Sequence, residues 1–186
     1  MGYTTNFKGA FKTDRPVDEE TYHRLKGLNE TRRMSRKIID PQFGIEGEFY
    51  CGYDETDDDP SIIDCNVAPR TQPSLWCGWK MLEDHQTIEW DEVEKFYSYT
   101  EWVQYIIERV LMPKGYYLEG VMVYSGERTD DAGRIDVTKD AVTVTDVYGH
   151  KKVMELVCNA ERLQGNTKDS LELRKMVKNM KSEEES

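Results

Sequence analysis

No run of about 18 apolar residues occurs in the 186-residue chain, so no segment of it reads as a membrane-spanning helix. Clustered positive charge is equally scarce. The chain has 25 Lys and Arg against 36 Asp and Glu, a formal net charge of −11 and a sequence pI of about 4.8. That balance argues against direct non-specific nucleic-acid binding, which runs on grouped cations. It suits a basic protein partner, or simply keeps a small protein in solution. The four cysteines, Cys51, Cys65, Cys77 and Cys158, include no C-x-x-C pair and no histidine at metal-ligand spacing, so no zinc centre is expected. They read as thiols of a reducing compartment. The opening residues, Met1 to Phe7, lack the basic and apolar regions of a secretory signal. Local catalytic signatures are missing too: there is no G-x-S-x-G, P-loop, H-E-x-x-H or dinucleotide-binding glycine pattern. His23, His85 and His150 are scattered.

What the chain does have is 38% hydrophobic and 33% charged residues, enough for one packed core plus an extension. Asn6 to Thr13 reads as a strand closed by Asp14-Arg15-Pro16. A helix follows, with Asp18 as N-cap, Glu19 and Glu20 at its positive end and Val17 stapled on Tyr22. Its later part is expected to carry Arg32, Arg33, Arg36 and Lys37 at the negative end of the dipole. Residues 36–73 form an irregular acidic insertion broken by prolines, with one strand around Phe49, Tyr50 and Tyr53 and a solvated run from Asp54 to Asp59.

Leu75–Met81 and Thr87–Asp91 are predicted as an antiparallel pair turning at Glu83-Asp84-His85-Gln86. The clearest helix begins at Ser98, whose spacing to Glu101 is that of a capping box, and carries Trp102, Val103, Ile106, Ile107, Val110 and Leu111 on one side as far as Pro113. Tyr116 to Ser125 reads as a strand, and Arg134–Val137 with Ala141–Val147 as a hairpin turning at Lys139-Asp140. The expected fold class is therefore α+β: a largely antiparallel sheet with two helices on one face, as in a ferredoxin-like sandwich. Residues 1–149 form that domain. Residues 150–186 form a C-terminal helical extension, marked by Val153, Met154, Leu156, Val157, Ala160 and Leu163 and then by Leu171 to Met180, ending in a polar tail.

Several blocks have a specific order and spacing: Met1-Gly2-Tyr3-Thr4-Thr5, Glu30-Thr31-Arg32-Arg33-Met34 and Leu75-Trp76-Cys77-Gly78-Trp79 come first. Ile88-Glu89-Trp90-Asp91, Glu94-Lys95-Phe96-Tyr97, Tyr99, Glu101-Trp102, Gly115-Tyr116 and Gly126-Glu127…Asp130-Asp131-Ala132-Gly133-Arg134-Ile135 continue the series. In these the chain resembles a family of small uncharacterised proteins encoded by bacteriophages. The resemblance implies a phage origin and expression in the cytoplasm of an infected bacterial host, and no particular reaction. Residues 36–73 and those beyond about Val147 fall outside it.

Arg32 and Arg33 are candidate ligands for a phosphate or other anion, since guanidinium groups bind oxyanions in a bidentate fashion; equally, they compensate a helix end. Trp76, Trp79 and Trp90, within a group that includes Phe96, Tyr97, Tyr99 and Trp102, either stack on a ligand or pack in the core. Glu127, Asp130 and Asp131 lie on a glycine-bounded loop of the kind that holds a divalent metal through oxygen ligands, or that serves only as a turn. No cofactor is required by the sequence. The leading functional expectation is a non-enzymatic accessory protein that binds a host or phage protein, such as a host defence factor it blocks. A binding or catalytic site for a nucleotide-like anion is the second reading, and an assembly role with oligomerisation through 150–186 the third.

Overall fold

The computed structural model describes residues 2–52, 59–139 and 141–154. The chain divides into Met1–Met154 and Glu155–Ser186, and the description concerns the first of these. The helices expected beyond Met154 lie outside the described residues, as do Tyr53 and most of the acidic run that follows it.

Among the described residues there are nine strands and two main helices. In chain order they are β1 (Thr5–Thr13), α1 (Glu19–Glu30), β2 (Ser35–Arg36), β3 (Ile62–Asp64), β4 (Trp79–Met81), β5 (Thr87–Trp90), α2 (Tyr99–Tyr105), β6 (Leu118–Gly126), β7 (Ala132–Thr138), β8 (Ala141–Asp146) and β9 (Lys151–Met154). The main sheet runs β4-β5-β1-β6-β7-β8-β9 with every neighbouring pair antiparallel, while β2 and β3 make a separate two-stranded ribbon. The chain is thus α+β with a mostly antiparallel sheet. β1 and β4 are parallel with β5 between them, and the path between them includes α1. β5 and β6 are parallel with β1 between them, joined through α2. From β6 onward the strands form a meander.

Alternation along the strands builds the core. Phe11, Trp79, Met81, Ile88, Leu118, Met122, Ile135, Val137 and Val142 are buried, while Lys8, Lys12, Lys80, Val121, Val123 and Arg134 are exposed on the opposite face. Leu25 and Leu28 from α1 and Trp102 and Val103 from α2 complete the packing. Each such large side chain removed from water contributes roughly 1.5–3 kcal/mol.

Asp18 caps α1 as the sequence predicts, accepting the Thr21 N–H at 2.7 Å. α1 nevertheless stops at Glu30, so Arg32, Arg33, Arg36 and Lys37 lie beyond the helix, with Arg33 and Arg36 buried. Specific partners for these guanidinium groups outweigh the weak pull of a helix dipole. The capping box at α2 does not form. Ser98 is left-handed (φ 54°) and makes no side-chain cap, and Glu101 accepts instead from the Thr100 hydroxyl at 2.8 Å.

α2 continues as a π-helical stretch, Ile106–Leu111, and a 3-10 turn, Met112–Lys114. The buried pairs Trp102/Val103, Ile106/Ile107 and Val110/Leu111 recur every four residues. That outpaces an α turn of about 3.6 residues, and the wider i→i+5 turns keep the pairs facing the core. Phe49 and Tyr50, expected in a strand, lie in irregular chain after the 3-10 turn Ile45–Gly47. Leu75–Gly78 is irregular, and only Trp79–Met81 pairs as strand. Val153 and Met154 extend the sheet as β9 rather than starting a helix, because Lys151 to Met154 pair with Thr145 to Val142.

Candidate functional site

Four apolar side chains that the core does not cover gather around one concavity. Val67 (51% exposed), Trp76 (37%), Val93 (36%) and Tyr97 (53%) all line a groove of about 700 Å³ whose walls are residues 66–68, 73–76 and 93–97. None of these walls is regular secondary structure, so each is held by specific bonds.

Arg32 fixes the first wall. Its Nε donates to the Cys65 carbonyl at 3.0 Å and its Nη2 to Asn66 Oδ1 at 3.2 Å, while the Ser35 N–H donates to the Val67 carbonyl at 2.7 Å. The second wall hangs on Arg33, whose backbone N–H donates to the Leu75 carbonyl at 2.8 Å. Ser74 then joins the second wall to the third. Its hydroxyl accepts from Trp102 Nε1 at 2.7 Å and lies 3.1 Å from the Trp76 carbonyl and 3.4 Å from the Tyr97 carbonyl.

Left-handed backbone shapes the third wall: Glu92 (φ 65°), Lys95 (φ 61°) and Ser98 (φ 54°) fall within seven residues. Such conformations are uncommon outside glycine and persist only where surroundings hold them. Gly78 makes room behind it, since a Cβ there would stand 2.8 Å from Phe96 Cδ1 and 3.0 Å from Val93 Cγ1. Asp91 Oδ1 accepts the Val93 N–H at 3.0 Å.

Behind the second wall lies a buried ionic network. Arg33, 2% exposed, donates through Nε to Gln72 Oε1 at 3.1 Å and through Nη2 to the Glu48 carbonyl at 2.6 Å. Gln72 donates to the same carbonyl and faces the Tyr105 hydroxyl at 3.3 Å. Glu48, wholly buried, accepts from Arg109 of the π-helical stretch. Burial, with the Glu48 charge adding to it, pushes the Tyr105 phenol upward. Among the described residues Arg33 Nη1 and Glu48 Oε2 have no hydrogen-bond partner. Removing one member of such a buried pair leaves the other uncompensated, and through Arg33 and Gln72 the network is bonded to the chain at 72–76.

The residues singled out from sequence divide between groove and core. Trp76 lines the groove, and Arg32 and Arg33 hold its walls. Trp79 is buried, donates from Nε1 to the Tyr99 carbonyl at 2.9 Å and meets Phe7 edge-on at 5.1 Å. Trp90 packs on Phe7 at 5.5 Å, its Nε1 buried without a partner among the described residues. The three loop carboxylates go to three different places: Glu127 accepts from the Thr4 N–H at 2.8 Å, Asp130 pairs with Arg128 at 2.6 Å, and Asp131 accepts from the Tyr3 hydroxyl at 2.6 Å. Among the described residues no three His, Cys, Asp or Glu side chains converge as a metal site.

Asp131 still connects to the groove, because the Tyr3 N–H donates to the Tyr97 hydroxyl at 3.4 Å. Of the lining residues, the sequence singles out Trp76 and, within the wider aromatic group, Phe96 and Tyr97; Asn66, Val67, Val93 and Glu94 are not marked as ligands by it. Glu48, Gln72 and Arg109 carry no local signal at all, their partners lying 15 to 61 residues away.

No protein-family model, curated protein or solved structure matches the chain.

Proposed function

We propose that the chain is a phage-encoded accessory protein, acting in the cytoplasm of an infected bacterium, that binds a host or phage protein through the groove between 73–76 and 93–97. The observation that carries this reading is the gathering of Val67, Trp76, Val93 and Tyr97, all substantially exposed, around one concavity in a chain that is 33% charged. Exposed apolar clusters with a polar rim mark interaction sites, and aromatic residues set in pockets are the usual anchors. Blocks that resemble the phage family supply much of the groove: Leu75-Trp76, Glu94-Lys95-Phe96-Tyr97, and Arg32-Arg33 behind them. Inhibition of a host defence factor is one use of such a site.

The strand order β4-β5-β1-β6 with its two helical connections supports a ferredoxin-like unit extended by the β7–β9 meander. A nucleotide-like anion suits the groove less well. Among the described residues Lys95 is its single lining cation, and Arg32 is committed to Cys65 and Asn66.

Parallel capture from bacterial lysate tests the proposal, using the wild-type chain and a Trp76→Ala/Tyr97→Ala variant whose circular dichroism is unchanged. A protein retained by the wild type and lost by the variant, then reconstituted as a purified complex, is the supporting result. The same proteins retained by both chains, or none by either, rejects the groove as the binding site.

A further inference from the structure

We infer that the groove recognises a cationic side chain, an arginine or lysine of the partner polypeptide, held between the Trp76 and Tyr97 rings with the Glu94 carboxylate as its counter-charge. The inference rests on the groove being the binding site. It concerns what enters.

Seven aromatic side chains form one packed cluster. Phe7, Phe11, Trp79, Trp90, Phe96, Tyr99 and Tyr124 pack on one another through ring contacts of 4.9 to 6.3 Å. Trp76 and Tyr97 make no ring contact with any described residue, yet both line the groove and both are exposed. The backbone that carries them is tied from behind, since the Ser74 hydroxyl lies 3.1 Å from the Trp76 carbonyl and 3.4 Å from the Tyr97 carbonyl. A cation sits over a ring face within about 6 Å of its centroid. Elsewhere in this protein Arg36, Arg24 and Arg15 sit 4.0, 4.4 and 4.5 Å over Tyr50, Phe49 and Tyr116. Two rings sharing one guanidinium therefore stand roughly 8–9 Å apart, too far for contact with each other.

Charge points the same way. Glu94 lines the groove and has no ion-pair partner among the described residues, and the exposed Glu92 lies two residues away on the same loop. The lining's cation, Lys95, lies along Gly2, where an added Cβ would meet its Cε at 2.2 Å. A chain of net charge −11 attracts a basic segment at long range before the rings engage it. A purely apolar anchor would use the rings and leave Glu94 unused.

The test is an NMR titration of the full chain with five peptides, Gly-Gly-Xaa-Gly-Gly, where Xaa is arginine, lysine, citrulline, leucine or glutamate. Citrulline keeps the shape and planarity of arginine and removes the charge. The expected result is perturbation of the Trp76 indole and Tyr97 ring signals by the arginine and lysine peptides, with citrulline about fivefold weaker or more. Glu94→Gln should narrow that gap, and Trp76→Leu should abolish binding while leaving the rest of the spectrum in place. If citrulline or leucine binds as well as arginine, the inference fails and the groove reading stands. If no peptide shifts either ring at millimolar concentration, both fail.

Discussion

Replacing Glu48 by glutamine removes the one negative charge from the buried network behind the groove while keeping its volume. In the wild type Glu48 is wholly buried and accepts from Arg109, whose side chain is 15% exposed. Its backbone carbonyl separately receives Arg33 and Gln72. Glutamine can still accept from Arg109 but no longer offsets its charge. Breaking a buried pair by removing one partner costs about 3–5 kcal/mol. The partial exposure of Arg109 puts this case at the lower end, about 3 kcal/mol. With a urea m-value of about 2 kcal/mol per molar, the unfolding midpoint should fall by about 1.5 M. Urea titration at pH 7 followed by tryptophan fluorescence measures it. The double variant Glu48→Gln/Arg109→Met removes both members of the pair and leaves Arg33 as it stands in Glu48→Gln, so it should recover at least about half of the loss, the part that an uncompensated Arg109 accounts for. A loss below about 1 kcal/mol, or a double variant as unstable as the sum of the singles, refutes the view that this pair holds the groove wall in place.

Three further outcomes follow from single residues. Gly120→Ala should destabilise by about 2 kcal/mol or more: Gly120 has φ +142° and a Cβ there would stand 2.4 Å from the Ala10 carbonyl oxygen. Thermal unfolding reads this, and an unchanged midpoint contradicts it. Burial pushes the Cys77 thiol up to about 12, so a thiol reagent at pH 8 should label it only on unfolding; rapid labelling of the native chain would show that the site is open. The Asp84 carboxylate is held below its ordinary value of 3.8, chiefly by the Thr87 hydroxyl and then by the Thr87 and Gln86 N–H groups. Its folded value being depressed, its contribution is fully present above about pH 5 and is lost as pH falls through and below 3.8. Asp84→Ala should flatten that acid limb; equal acid sensitivity in both chains refutes the assignment.

How much of this was legible in the sequence depended on the range of the interactions involved. Asp18 announced α1 because an N-cap is a three-residue device, and the alternation through Leu118, Met122, Ile135 and Val142 announced sheet because one buried face imposes a period of two. The end of α1 was less visible. Four basic residues after Glu30 resemble a helix end, yet Arg33 and Arg36 leave the helix for Gln72, Glu48 and Asp59, and no local pattern encodes partners 15 to 39 residues away. The four-residue recurrence in α2 was present in the sequence and reads as π-helical only once the face it must bury is known. At the site, Trp76 stood out by type. Tyr97 did not separate from Phe96 and Tyr99 until the fold turned those two inward.

The most direct measurement of the central claim is hydrogen exchange on the complex with the captured partner. The groove account expects protection concentrated at residues 73–76 and 93–97. Protection confined to the exposed face of the sheet, around Lys8, Val121, Val123 and Arg134, would contradict it.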